Sequence, residues 1–86
     1  MIAEEIRMNI KRSIANIANI ELGAIADNAS YKKDLMLDSL TILEIAVDAE
    51  VQFQIKIPDE ELSSLDTIDE TVRLVQRHLV GVAVAA

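Results

Sequence analysis

The sequence has no cysteine and no tryptophan, and only one histidine, one proline and two glycines. Without cysteine, neither a disulfide nor a thiolate metal site can hold the fold together, so packing must do it. Aromatics are 2% of the chain, Phe53 and Tyr31, which leaves a core to be built from Ile, Leu, Val and Ala. The scarcity of glycine and proline frees long stretches for helix. Basic residues are also few: eight Lys and Arg stand against fifteen Asp and Glu, a net charge of −7. That balance argues against nucleic acid and against an anionic membrane surface, both of which select clustered Lys and Arg. Partners with basic patches are attracted instead. Long apolar runs are missing too. The tail 80–86 is apolar but much shorter than the about 20 residues a bilayer requires, and Glu4 and Glu5 interrupt any secretory pattern at the N-terminus. A cytoplasmic location is expected. A single histidine, His78, late in the chain, offers no Ser-His-Asp or metal-ligand set. It reads as a polar surface residue, and the chain as a non-enzyme. No acidic loop of the Asp-x-Asp-x-Asp-Gly type suggests a calcium sensor.

What remains is an 86-residue chain, 51% apolar, sized for one domain over 1–86. Ile6, Ile10, Ile14 and Ile17 recur at helical spacing, with Arg7, Lys11, Arg12 and Asn16 outside the stripe, predicting a helix over 2–20 that stops before Gly23. Residues 21–37 lack periodicity. They read either as a plain crossover or as a long ordered loop bordering a functional site. Asp38 is a good N-cap for a second helix running to about Gln54. The segment 55–58 reads as extended because it ends in Pro58, and 59–62 as one short helical turn. Thr67 and Glu70 fit a capping box opening a last helix to about Val80, with Val72, Val75 and Leu79 on its core face. Gly81 suits its end, and the tail 81–86 is expected to fray. The expected architecture is all-α, a four-helix bundle of three main helices and one short one.

The second helix carries two apolar faces. Ile42, Ile45, Ala46, Ala49 and Phe53 gather on one side at about 100° per residue. Leu40, Leu43, Val47 and Val51 gather on roughly the opposite side, edged by Glu44 and Asp48 on one flank and Glu50 on the other. Either the helix is central and both stripes are buried, or the second stripe is an exposed docking surface with an acidic rim. The rim favours exposure, because carboxylates rarely tolerate full burial.

Ser39 follows the proposed cap. It reads either as a capping residue at a helix start or as an accessible hydroxyl where free first-turn amides and the helix dipole suit a phosphate. The surrounding residues, Asp34-Leu35-Met36-Leu37-Asp38-Ser39-Leu40, resemble the attachment motif of acyl carrier proteins, centred on Asp-Ser-Leu. The resemblance continues through Thr41-Ile42-Leu43-Glu44-Ile45, Phe53 and Ile57-Pro58-Asp59-Glu60-Glu61 to Leu65-Asp66-Thr67-Ile68. It covers most of the chain, and 34–61 carries nearly all its specificity.

The resemblance implies an acyl-carrier-like bundle with a covalent 4'-phosphopantetheine on Ser39. A separate phosphopantetheinyl transferase would place it there, and its thiol would hold an acyl-type group as a thioester. Asp38 matches a position used in transferase recognition, and Leu40, Leu43, Glu44, Val47 and Glu50 match the family's partner-recognition helix. The implied partners are acyl- or aminoacyl-loading ligases or synthases with basic docking patches, and a monomer is expected. Many members have glycine where this chain has Met36. Fatty-acid members often carry acids where Thr41, Val51 and Gln52 stand, and Lys32 and Lys33 add positive charge to the preceding loop. The cargo is thus open among fatty acyl, polyketide and aminoacyl groups. The competing reading is an unmodified acidic helical interaction module docking through the same apolar stripe.

Overall fold

The computed structural model describes the backbone of residues 2–85 and the side chains of residues 2–79. Four α-helices follow in chain order: α1 (Ala3–Ala18), α2 (Ser39–Phe53), α3 (Asp59–Ser63) and α4 (Ile68–Ala85). A single 3-10 turn, Leu22–Ala24, lies between α1 and α2. The all-α bundle with three main helices and one short one is thus as the pattern predicts. No strand occurs among the described residues; one isolated antiparallel bridge joins Ser30 to Thr67.

Each helix boundary has a local cause. The α1 stripe Ile6, Ile10 and Ile14 is fully buried and Ile17 half-buried. The helix ends at Asn19, within the expected bounds and ahead of Gly23, in the left-handed conformation (φ 57°, ψ 49°). Asn tolerates that region better than other non-glycine residues because its short side chain bonds locally. Gln54 caps α2 in the same way (φ 53°). At the start of α4, Glu70 N–H donates to Thr67 Oγ1 (3.2 Å) while Glu70 Oε1 accepts from Thr67 N–H (3.0 Å) and Asp66 N–H (2.8 Å), the reciprocal box predicted. At its other end α4 continues through Gly81 to Ala85, whereas the sequence places the stop at Gly81. No proline follows to break it, and an interior glycine costs only about 1 kcal/mol. Of the tail 81–86, expected to fray, the backbone as far as Ala85 is helical, while Ala86 and the side chains lie outside the described residues.

Helix α1 is the central packing partner, lying against both α4 and α2. Its isoleucines join Ile42, Ile45, Ala49 and Phe53 of α2 and Ile68, Val72, Leu74 and Val75 of α4 in one core. Ile55 and Ile57, from the extended segment before Pro58, are also buried, as alternation in an extended chain allows.

The crossover 21–37 is an ordered loop fastened to the start of α4. Tyr31 N–H donates to Asp66 O (2.8 Å), Ile68 N–H to Ala29 O (3.1 Å), Asp69 N–H to Asn28 Oδ1 (3.0 Å), and Ser30 Oγ to Asp66 Oδ1 (2.9 Å). Tyr31 is 1% exposed and its hydroxyl hydrogen-bonds Thr71. Burial raises its phenol to about 12. Arg7 ties α1 to the same region through Asp69 (2.8 Å) and Asp27 O (2.7 Å), and Lys11 pairs with Asp27 (2.9 Å).

Candidate functional site

The loop delivers the chain to α2 through a tight path. Ser30 N–H donates to Asp34 Oδ2 (2.7 Å), Lys33 N–H to Ser30 Oγ (3.1 Å), and Leu37 N–H to Tyr31 O (2.8 Å). Between these anchors Met36 adopts a left-handed backbone, φ 57°, with its side chain 83% exposed. This is the position where the carrier pattern commonly has glycine. A β-carbon there costs on the order of 1 kcal/mol, and the exposed thioether makes no burial that offsets it.

Asp38 caps α2, accepting from Thr41 N–H at 2.8 Å. That hydrogen bond holds its carboxyl below the ordinary carboxylate value. Ser39, the first residue of the helix, is exposed, and none of the side-chain hydrogen bonds among the described residues involves its hydroxyl. Asp38 therefore does the capping that the bland reading assigned to the serine. The Ser39 Oγ is left without a structural task.

Beside it lies a cleft of about 460 Å³ between the start of α2 and α3, lined by Lys32, Ser39, Ile42, Leu43, Asp59, Leu62, Ser63 and Leu65. Helix α3 forms the far wall and buries none of its own residues fully. It is held to α4 by Glu61, whose carboxylate meets His78 Nε2 at 3.0 Å and Arg77 at 3.4 Å. His78 is thus half-buried and paired, not a free surface residue.

Along α2 the two stripes separate as the rotation requires. Ile42, Ile45, Ala46, Ala49 and Phe53 are buried. Leu40 (65%), Leu43 (44%), Val47 (45%) and Val51 (71%) are exposed, which excludes a central helix buried on both faces. Leu43, Val47 and Val51, with half-buried Ile17, frame an open groove of about 390 Å³ that also includes Glu44 and Asp48. The rim is less uniform than its sequence suggests. Asp48 is bonded to Ser13 and, at 2.7 Å, to Gln52 Nε2. Glu50 accepts from Ile57 N–H at 2.8 Å, fixing the extended segment. Glu44 is exposed and joins none of the ion pairs among the described residues.

Two features here escape the sequence pattern. The Asp48–Gln52 bond has an i,i+4 signature that could be read from spacing, but the Ser13 partner comes from another helix. Lys32 shares a cleft with Ser39 only because the Ser30–Asp34 turn folds back. Among the described residues no group of three His, Cys, Asp or Glu is placed to hold a metal ion, and no helix is long and apolar enough to cross a membrane.

Comparison with known proteins agrees with this geometry. The family model for the phosphopantetheine attachment site matches residues 9–75. The chain is 39% identical over 74 residues to the meromycolate extension acyl carrier protein of Mycobacterium tuberculosis (strain ATCC 25618 / H37Rv), covering 86% of this chain and 64% of that protein. It therefore spans somewhat less than two thirds of the length of the first relatives it matches. It is 34% identical over 74 residues to the acyl carrier protein of Rhodococcus erythropolis (strain PR4 / NBRC 100887), covering 86% and 81%. With that of Buchnera aphidicola subsp. Schizaphis graminum (strain Sg) the identity is 37% over 67 residues, covering 78% and 85%. The prosthetic group this family implies is a covalent 4'-phosphopantetheine, and an unengaged hydroxyl opening onto a cleft fits one. By the match of its family model and by these relatives, the chain belongs to the acyl carrier protein family.

Proposed function

We propose that the protein carries an acyl group as a thioester on a 4'-phosphopantetheine arm esterified to Ser39, and presents it to partner enzymes without itself being a catalyst. The observation that carries this is the exposed, unbonded Ser39 hydroxyl beside a cap made by Asp38. The group, when attached, supplies a thiol at the end of a long flexible arm. The Ser39 hydroxyl gives up its proton and its oxygen attacks the pantetheine-side phosphorus of coenzyme A, breaking the pyrophosphate bond and releasing adenosine 3',5'-bisphosphate, in a magnesium-dependent phosphopantetheinyl transferase. The first turn of α2 holds the attachment point still. Asp38 keeps that turn formed and presents a carboxylate to the transferase.

Leu40, Leu43, Val47 and Val51 supply an apolar docking face, and Glu44 a free charge beside it for a basic partner. Asp48 and Glu50 act mainly inside the molecule, so recognition charge concentrates on Asp38 and Glu44. The protein works as a cytoplasmic monomer. The cargo is of fatty-acyl type: the relatives include carriers named for meromycolate extension, and Ile42, Leu43, Leu62 and Leu65 give the cleft beside Ser39 an aliphatic wall.

The deciding measurement is intact mass after incubation with coenzyme A, magnesium and a promiscuous phosphopantetheinyl transferase. Gain of one phosphopantetheine, abolished in Ser39→Ala, is the expected outcome. An unchanged mass in the wild-type chain would leave an unmodified docking module as the better account of the exposed stripe.

A further inference from the structure

We infer that Lys32 is the binding residue for the phosphodiester of the arm on Ser39, and that it holds the arm's root in the α2–α3 cleft. This rests on the reading of Ser39 as the attachment residue. The cleft beside that serine is lined by one cation, Lys32, and one carboxylate, Asp59. Asp38, adjacent in sequence, adds a second carboxylate kept anionic by its bond from Thr41 N–H. A phosphodiester on Ser39 introduces a further permanent negative charge into a cleft that already holds Asp59 and adjoins Asp38 in sequence, in a protein already at −7. Neighbouring like charges repel. Anionic oxygens on phosphorus are good acceptors for an ammonium.

Lys32 is placed for that work and is otherwise unemployed. It takes part in none of the ion pairs found among the described residues, unlike Arg7, Lys11, Arg73 and Arg77. Its backbone sits in a turn fastened by Ser30–Asp34 and by Tyr31 N–H to Asp66 O, so the side chain starts from a fixed point. Lys33, next along the same turn, is also exposed but does not line the cleft. The pair thus contains its own control: the same charge, one residue apart, facing different space. Arm, cation and aliphatic wall would then be aligned along one cleft, directing the chain that follows the phosphate toward Leu62 and Leu65 in place of open solvent.

The test uses the full chain loaded in vitro with coenzyme A and a transferase, first checked by intact mass. The transverse relaxation and chemical shift of the single arm phosphorus are then followed by phosphorus NMR in wild type, Lys32→Ala, Lys32→Arg and Lys33→Ala. An exposed charge pair biases a population by about 1.4- to fivefold, so Lys32→Ala should slow relaxation toward that of a free arm by about twofold. Lys32→Arg should stay near wild type, Lys33→Ala should match wild type, and high salt should bring wild type to the Lys32→Ala value. Equal effects of Lys32→Ala and Lys33→Ala would mean a diffuse field, and no effect of either would mean a free arm; both overturn the assignment while the carrier reading stands. Failure to gain mass overturns both together.

Discussion

At the residue scale the strongest physical oddity is Met36, a non-glycine residue at φ 57° with most of its surface in water. Replacing it by glycine removes the β-carbon clash while returning some entropy to the unfolded chain. Met36→Gly is therefore expected to stabilise the protein by roughly 0.5–1 kcal/mol, read as a raised urea midpoint with unchanged slope. A lower midpoint would show that the methionine contributes contacts absent from this structure. Tyr31 is the opposite case, a polar aromatic fully inside. Its phenol is raised by burial to about 12 against an ordinary value of 10.0. Because the folded value is the higher, the stability it confers is complete below pH 10 and is lost as pH rises from there toward 12. As the chain's one tyrosine, with no tryptophan, it can be followed by tyrosinate absorbance alone. Tyr31→Phe should cost about 1 kcal/mol at neutral pH, since Thr71 keeps its bond to Thr67 O (3.2 Å), and should remove part of the alkaline loss.

At the scale of elements, α2 divides its two duties by face. Ile45, 2% exposed, should cost about 2–5 kcal/mol when cut to alanine. Leu43→Ala and Val47→Ala should change stability far less, yet weaken association with a loading enzyme, measured as a raised KM for the carrier substrate. Equal losses of stability in all three variants would contradict the exposed stripe. The two stripes are legible in the sequence because a 100° rotation sorts α2 without any tertiary information, whereas the exposure of the second is settled only by the fold. The sequence also anticipated the Thr67–Glu70 box and the Asp38 cap, both set by residues within one turn. It placed the end of α1 near residue 20 but took Gly23 as the stop signal, whereas Asn19 supplies the left-handed turn. It missed the buried role of Tyr31 and the internal engagement of Glu50 and Asp48. Each of those depends on a partner from another element: Thr71, Ile57 N–H and Ser13. Ser39 is singled out as a candidate by its flanking motif; its lack of any competing bond among the described residues is visible only in the fold.

Across the whole molecule, charge pairs fasten α1, the crossover and α4 to one another. The carboxyls of Asp27 and Asp69 are held below their ordinary value of 3.8, chiefly by hydrogen bonds from Lys11 and Arg7 respectively. With folded values below unfolded ones, their contribution is present above about pH 4 and disappears as pH falls further. Thermal unfolding followed by calorimetry should show a falling melting temperature on that acid side, and Asp69→Asn should flatten the fall while lowering the neutral-pH value. An acid limb identical in the variant would show that Asp69 is not among the groups responsible.

The fastening of the crossover to the first turns of α4 also has a consequence for the order of events in the cell. Tyr31 is anchored by Asp66 and Thr71, so the path leading to Ser39 takes its final form only once the chain has been made through Thr71. A ribosome-bound chain stopped short of Thr71 would expose its serine on an unanchored strand. On the reading of Ser39 as the attachment residue, a transferase that needs the ordered approach to α2 would act only after α4 has begun to fold, a form of quality control that requires no separate inspector.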